Sequence, residues 1–210
     1  MIERDAQKRY GVYEVVMQQR SDMHVLPADL PVPIDDGACD HLAGMVLPSI
    51  PLSTTDGEKV DLSLLRGRSV LYVYPRTGRP DLPSSAAWDA IPGARGCTPQ
   101  SCGFRDHYAE LRSFGVSAVF GLSTQTTDYQ REAVDRLHLP FPLLSDSTLV
   151  FTRALRLPTF EFEPYGEETS TLLKRMALVI CDGRIEKVFY PVFPPDKNAE
   201  DVTAWLRAHA

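Results

Sequence analysis

The sequence lacks several features that mark whole classes of protein. No apolar run approaches the roughly 20 residues that cross a bilayer, and the amino-terminal segment MIERDAQKRYGVYEVVMQQ has no continuous apolar core of a secretory signal. Basic residues number 22 against 28 acidic ones, the net charge is -6, and no lysine-rich run is present. We therefore expect no membrane and no nucleic-acid partner, and we predict a cytoplasmic location.

Cysteine is also scarce, with four residues in a chain of 210. A structural disulfide framework is not expected from so few cysteines in a reducing compartment. Two of them, Cys97 and Cys102, nevertheless stand close together in RGCTPQSCGFRD at 95–106. A close cysteine pair in such a compartment is more often catalytic or metal-binding, whereas we assign no role to Cys39 and interpret Cys181 as a packing residue.

The residues that are present indicate one globular domain with an extension. A hydrophobic fraction of 43% and a charged fraction of 24% are typical of globular proteins, and the length favours one large domain over two small ones. Apolar spacing predicts an amphipathic helix over 2–17, and three prolines predict an extended linker over 26–33. We predict an extension over 1–43 and a single domain over 44–210.

The pattern within the domain alternates strands and helices. An early hairpin turns at Asp56-Gly57, and a later one at Asp182-Gly183 matches a type I′ turn. Between them, SVLYVYP, SAVFGLS and FPLL are predicted strands, and helices are predicted after each, the first from Thr98 to Gly115. The stretches at 76–95 and 161–170 are predicted loops. This order predicts an α/β, three-layer fold with a central mixed β-sheet flanked by helices.

The first of these helices places a cysteine at a favourable position. Cys97 lies in the first turn, where backbone N–H groups are unpaired and the helix dipole is positive, so the thiolate is favoured over the thiol. Pro99 suits a first turn because its missing N–H is not needed there. The dipole alone is too weak to ionise the thiol fully, so a cation should lie nearby. The candidates are Arg95, Arg105 and Arg175.

The spacing of the two cysteines limits how they can bond. Residues five apart on an ideal helix are separated by roughly 8 to 9 Å, whereas a disulfide needs Cα atoms about 4.4 to 6.8 Å apart. Cys97 and Cys102 can therefore bond only if the helix unwinds, which makes a functional pair a redox switch. Two alternatives stay open: Cys102 is a buried apolar residue, or Cys97, Cys102 and His107 hold a metal, although their spacings do not match the usual ligand motifs.

At this point the residues resemble a known family. GCTPQSCGFRD at 96–106, LYVYP at 71–75 and FPLLSDSTLV at 141–150 resemble the peroxiredoxins, specifically the PrxQ or bacterioferritin-comigratory-protein subgroup. The likeness runs from about Gly44 to the carboxyl terminus. It implies a thioredoxin-like fold and an antioxidant thiol peroxidase that reduces hydrogen peroxide or organic hydroperoxides without metal, flavin or haem.

The resemblance also implies residue roles. Cys97 would be the peroxidatic cysteine, which a peroxide oxidises to a sulfenic acid, and Cys102 the resolving cysteine, which condenses with it to an intramolecular disulfide. Thioredoxin or a glutaredoxin-like dithiol would reduce that disulfide. Arg175 would stabilise the thiolate and orient the peroxide. A monomer or a homodimer is expected.

The chain departs from the family pattern just before Cys97. The family has a proline and a threonine seven and three positions ahead of this cysteine, where this chain has Ala90 and Ala94. Pro75 and Thr77 precede the predicted loop instead. We interpret the loop as an insertion and take Pro75 and Thr77 as candidate peroxide-binding residues.

Two other activities are weighed against the peroxidase. One is a non-catalytic redox sensor, or thiol-switch binding protein, on the same fold. The other is a thiol-disulfide reductase, which the absence of a C-x-x-C motif disfavours.

Overall fold

The computed structural model describes residues 26–78, 84–163 and 168–209, so the helix predicted over 2–17 lies outside the described residues. The strands in these ranges are β1 (Pro51–Thr54), β2 (Lys59–Asp61), β3 (Arg68–Val73), β4 (Val116–Ser123), β5 (Leu143–Ser145), β6 (Thr159–Phe162), β7 (Ser170–Leu173), β8 (Met176–Cys181) and β9 (Arg184–Phe189). The α-helices are α1 (Ala86–Asp89), α2 (Cys97–Asp106), α3 (Tyr108–Ser113), α4 (Thr127–Leu137), α5 (Val150–Leu155) and α6 (Asn198–Ala208). Short 3-10 turns cover Asp40–Leu42, Leu62–Leu64 and Pro195–Lys197.

The central sheet is mixed, as predicted. Its strand order is β2-β1-β5-β4-β3-β8-β9, with β3, β4 and β5 parallel and the other pairs antiparallel. Strand β3 lies near the middle and is apolar on both faces, because helices cover the sheet on both sides. Val70 and Tyr72 of β3 face the core that α2, α3, α4 and α6 share, whereas Leu71 and Val73 face the core that contains α5. This is the predicted three-layer α/β arrangement.

Both predicted hairpins are present. The first joins β1 to β2 in antiparallel register across Asp56-Gly57, and the second joins β8 to β9. Asp182 and Gly183 have φ angles of 49° and 72°, the positive values that both central residues of a type I′ turn need.

The helix predicted from Thr98 to Gly115 was wrong in two details. It begins one residue earlier, at Cys97, and it is broken at His107, so that α2 and α3 are separate. His107 has φ -90° and ψ 3°, outside the helical range, and its backbone N–H still donates to the Gly103 carbonyl.

Two stretches predicted as loops contain regular structure. Strands β6 and β7 pair antiparallel from Thr159 opposite Leu173 to Phe162 opposite Ser170 and form a separate two-stranded ribbon. Within 76–95, helix α1 begins where the Ser85 hydroxyl accepts the backbone N–H of Trp88 at 3.1 Å. Both elements are only four residues long, which is too short for a periodicity to be seen in the sequence.

The segment 26–43 lies on the domain as an irregular strap, with one 3-10 turn. Its Asp36 carboxylate accepts hydrogen bonds from Lys174 at 2.7 Å and from the Tyr190 hydroxyl at 2.8 Å, and Leu42 is fully buried. The domain boundary between residues 43 and 44 stays a prediction. In the described ranges, no helix is both long and apolar enough to cross a membrane.

Candidate active site

Cys97 lies at the mouth of α2, beyond the end of β3. Gly96 precedes it with a φ of +105°, a left-handed conformation that favours glycine, and the Gly96 carbonyl accepts the Gln100 N–H at 3.0 Å to close the first helical turn. A side chain at Gly96 would also collide, since a Cβ there would lie 2.6 Å from Pro195 Cγ and 3.0 Å from Leu26 Cδ2. The glycine therefore sets the buried Cys97 at the helix start.

Arg175, between β7 and β8, supplies the cation that the site needs. Its Nη2 donates to the Cys97 sulfur at 3.3 Å and to the Ala94 carbonyl at 2.9 Å, and its Nε donates to the Gly93 carbonyl at 3.2 Å. Arg175 is only 3% exposed, so little water screens the charge. The guanidinium is thus held against both the sulfur and the backbone that precedes it.

The other two candidate cations have different partners. Arg95 forms an ion pair with Asp89 at 2.9 Å, and Arg105 donates to the carboxylate of the next residue at 2.8 Å. Arg95, two positions before Cys97, is the candidate nearest to it in the sequence. The structure instead brings Arg175 to Cys97, because β8 runs beside β3 in the sheet.

Two buried amide side chains extend the hydrogen-bond network of Arg175. Gln100 accepts a hydrogen bond from Arg175 Nη1 through its Oε1, and its Nε2 donates to Asn198 Oδ1 at 2.9 Å. Gln100 and Asn198 are both fully buried. Sequence reasoning missed them, although a glutamine three residues after Cys97 on a buried helix face is a signal for a polar network.

Cys102 lies further along the same continuous helix as Cys97. Burial raises the pKa of the Cys102 thiol, with the nearby Arg105 acting in the opposite direction. All four cysteines are free thiols. With α2 intact from Cys97 to Asp106, the two residues keep the helical spacing that exceeds the reach of a disulfide.

Pro75 and Thr77 follow β3 directly and are buried. The Thr77 hydroxyl donates to Gln125 Oε1 at 3.2 Å, and its backbone N–H donates to the same oxygen at 2.9 Å. At Ala94 the chain offers a backbone carbonyl 3.6 Å from the Cys97 sulfur in place of a hydroxyl. The role of Pro75 and Thr77 in binding peroxide stays a prediction.

With this geometry in view, the comparisons with known proteins decide the family. The model of the Redoxin family matches residues 42–203. Peroxiredoxin Bcp of Escherichia coli (strain K12) is 32% identical over 175 residues, which cover 80% of this chain and 97% of that protein. The chain belongs to the Redoxin family, as a peroxiredoxin of the Bcp and PrxQ type.

Further relatives and solved structures agree with this placement of the peroxiredoxin. Chloroplastic peroxiredoxin Q of Gentiana triflora is 27% identical and matches 79% of this chain and 66% of its own. Peroxidoxin BcpB from Mycobacterium tuberculosis has a TM-score of 0.59 at 25% identity, covering 80% of this chain and 97% of that one. A cysteine variant of PrxQ from Xylella fastidiosa reaches 0.62 at 22% identity, covering 80% and 96%, and shows the shared fold.

Family membership establishes the reaction class. The fold is the thioredoxin-like fold of peroxiredoxins, and the protein is an oxidoreductase that carries out thiol-dependent peroxide reduction. Its substrates are a peroxide and a thiol reductant. The hypothesis of a non-catalytic redox sensor is not favoured.

An aromatic cluster anchors the loop that precedes Cys97 in this peroxiredoxin. The Trp88 ring packs edge-on against Phe162, with the ring centroids 4.9 Å apart, and at a tilt against Phe160, with the centroids 6.2 Å apart. The Arg76 guanidinium lies 5.4 Å from the centroids of both Trp88 and Phe162. The described part of the loop is thus tied to the β6–β7 ribbon, whose far end leads into Arg175.

The alternative of a metal site gains no support from the geometry. His107 Nδ1 lies 3.0 Å from the carbonyl of Gly103 in α2, within hydrogen-bonding distance. Throughout the residues that the structure describes, no group of three or more potential ligands is arranged to hold a metal ion.

Proposed function

We propose that Cys97 is the peroxidatic cysteine, Cys102 the resolving cysteine and Arg175 the group that stabilises the reacting sulfur. The observation that carries this assignment is the 3.3 Å hydrogen bond from Arg175 Nη2 to the Cys97 sulfur at a helix mouth. The helix N-terminus and the guanidinium both place positive charge beside the sulfur, and a thiolate is the nucleophile in this chemistry.

In the first step, the Cys97 thiolate attacks one oxygen of the peroxide. The O–O bond breaks, the sulfur becomes a sulfenic acid, and the other oxygen leaves as water or an alcohol after taking a proton. Negative charge moves from sulfur toward the leaving oxygen, and Arg175 is close enough to stabilise it. The substrate is hydrogen peroxide or a small organic hydroperoxide.

In the second step, α2 unwinds and the Cys102 thiol attacks the sulfenic sulfur. A disulfide forms and the sulfenic oxygen leaves as water. A dithiol protein, thioredoxin or a glutaredoxin-like protein, then restores both thiols by exchange. We expect this cycle in a cytoplasmic monomer or homodimer.

We also propose that Pro75 and Thr77 line the peroxide-binding site. Both residues are buried and directly follow β3, the strand whose end lies at the site. The Thr77 hydroxyl can turn from Gln125 to a peroxide oxygen because a hydroxyl both donates and accepts. Arg175 holds the Gly93 and Ala94 carbonyls, and the Ala94 carbonyl lies 3.6 Å from the Cys97 sulfur.

One experiment tests the cysteine roles. The protein is treated with one equivalent of hydrogen peroxide, and its peptides are mapped by mass spectrometry. We expect a Cys97–Cys102 disulfide in the wild type, a trapped Cys97 sulfenic acid in Cys102→Ser, and no peroxide consumption by Cys97→Ser. Cys181→Ser serves as the matched control and should behave as the wild type. Peroxide consumption by Cys97→Ser, or a disulfide to Cys39, would refute the assignment.

A further inference from the structure

One face of α2 packs against Pro195–Lys197, the 3-10 turn that leads into α6. Residues 96, 100 and 103 lie on this face, since they are spaced by four and three along the helix. A Cβ on Gly96 would lie 2.6 Å from Pro195 Cγ, and one on Gly103 would lie 3.2 Å from the Asp196 carbonyl oxygen. The two glycines let the helix approach the segment closely, and Gln100 between them forms the polar contact.

That polar contact is the hydrogen bond from Gln100 Nε2 to Asn198 Oδ1, 2.9 Å long and fully buried. Within the described ranges, the other amide atom of Asn198, Nδ2, is buried and has no hydrogen-bond partner. A buried donor without a partner disfavours the closed arrangement, because water would satisfy it once the contact opened. The contact therefore has a defined geometry but leaves one buried hydrogen-bond donor, Asn198 Nδ2, without a partner.

The same Gln100–Asn198 hydrogen bond opposes formation of the Cys97–Cys102 disulfide, because it stabilises the helical form of α2. Cys97 and Cys102 flank Gln100 in the sequence, so the turns that must unwind are the turns that Gln100 fastens to Asn198. Gln100 also accepts the hydrogen bond from Arg175 Nη1. When the Gln100–Asn198 hydrogen bond is made, it supports the arginine that faces Cys97. When it is broken, α2 can unwind and Cys102 can attack the sulfenic acid.

We propose that the Gln100–Asn198 hydrogen bond is a latch that controls the unwinding of α2, and that Asn198 is a positioning residue for the resolution step. This rests on the proposed Cys97–Cys102 disulfide. The latch affects which of two reactions consumes the Cys97 sulfenic acid. The sulfenic acid either condenses with Cys102 and releases water, or a second peroxide oxidises it to a sulfinic acid and is itself reduced to water or an alcohol. A tighter latch therefore lowers the peroxide concentration that inactivates the enzyme.

The latch is tested without peroxide chemistry by the rate at which Cys102 is alkylated in a Cys97→Ser background, followed by peptide mass spectrometry. Asn198→Ala removes the acceptor and should raise this rate by about 3- to 10-fold, the effect of one net hydrogen bond. Asn198→Asp keeps an acceptor and removes the unpartnered Nδ2 donor, so its rate should be no higher than that of the wild type. Thr203→Ala is the matched control, since the buried Thr203 hydroxyl bonds to the Ala199 carbonyl within α6 at 2.7 Å.

Each outcome decides the proposal. A rise in Asn198→Ala that Asn198→Asp reverses and Thr203→Ala does not share supports the latch. No rise, or an equal rise in Thr203→Ala, overturns it. Should Asn198→Ala fail to fold by circular dichroism, Asn198→Ser, whose hydroxyl is too short to reach Gln100, takes its place with the same expectation.

With Cys97 intact, Asn198→Ala should also form the disulfide faster and tolerate several-fold more peroxide before the sulfinic acid accumulates. An unchanged tolerance contradicts the latch. The two proposals fail separately: if the wild type forms no Cys97–Cys102 disulfide, the proposed function is refuted, while the alkylation rates still decide whether the hydrogen bond holds α2 closed.

Discussion

The Arg175 guanidinium reaches the Cys97 sulfur from 78 positions further along the chain, with Nη2 at 3.3 Å. The same side chain donates to the carbonyls of Gly93, Ala94 and Arg95, the three residues that lead up to Gly96 and the helix mouth. Since the five donors of a guanidinium lie in one rigid plane, fixing some of them on the backbone orients the one that points to sulfur. Charge and orientation therefore come from a single side chain.

This arrangement predicts that Arg175→Lys will not preserve activity. An ammonium keeps the charge, but it cannot span the backbone carbonyls, Gln100 and the sulfur together. We expect the second-order rate constant for peroxide to fall by about 10²- to 10³-fold, as when an oriented donor is lost from an anion-stabilising site. Stopped-flow measurement of Cys97 oxidation checks this. Arg207→Lys, at an exposed ion pair with Glu110, is the control and should leave the rate unchanged. A loss smaller than 10-fold in Arg175→Lys would show that charge alone suffices.

Thr77→Val tests whether the Thr77 hydroxyl binds the peroxide. The substitution removes the hydroxyl and keeps the shape, so the rate of peroxide reaction should fall by about 10-fold if this hydroxyl bonds to the peroxide, the upper end of one net hydrogen bond. Thr152→Val is matched to it, because Thr152 is also buried and its hydroxyl donates to Asp146 at 2.6 Å. Equal rates in Thr77→Val and the wild type would leave the hydroxyl with only its structural bond to Gln125.

Local patterns in the sequence were sufficient for most of the fold and for half of the site. The helix-mouth position of Cys97 follows from a glycine and a proline beside it, and the hairpin at Asp182-Gly183 follows from the turn chemistry of two residues. These features are predictable because each depends on residues that are adjacent in the chain.

The remainder depends on residues that only the folded chain brings together. Gln100 and Asn198 are 98 positions apart, and no periodicity encodes their hydrogen bond. Arg175 was predicted from the family resemblance, since a lone arginine before a strand is otherwise typical of a solvated charge. The β6–β7 ribbon escaped prediction because its strands are short and Trp88 from another part of the chain packs against them.

Gly96→Ala should destabilise the folded protein more than glycine replacement at a left-handed position usually does. The φ of +105° strains any side chain, and the added Cβ would meet Pro195 as well. Gly115→Ala is the matched control, because Gly115 has a φ of +81° and nothing within 4 Å of its added Cβ. We expect about 1 kcal/mol of destabilisation for Gly115→Ala and about 3 kcal/mol for Gly96→Ala, measured by urea unfolding. Equal losses would mean that Pro195 moves aside without cost.

Cys39 should be the least reactive thiol of the native protein. Burial raises the pKa of Cys39 to about 12, and the carboxylate of Asp36 adds to the effect. At pH 8 only about one Cys39 thiol in ten thousand is then ionised, and the thiolate is the reactive form. We expect iodoacetamide at pH 8 to label the less buried Cys181 in the folded protein and to label Cys39 only in urea, as read by peptide mass spectrometry. Comparable labelling of both thiols in the folded state would contradict the buried environment.

The same raised pKa predicts how stability depends on alkaline pH. An unfolded Cys39 ionises above about pH 8.5, whereas the folded thiol stays protonated until about pH 12, so the unfolded chain releases its proton first. The contribution of Cys39 to stability is therefore complete below pH 8.5 and declines as the pH rises toward 12. Urea unfolding of the wild type and of Cys39→Ala at pH 7.5 and pH 10.5 isolates it, because other titrating groups are common to both. The wild type should lose more stability than Cys39→Ala over this interval, and parallel losses would place the Cys39 thiol in contact with water.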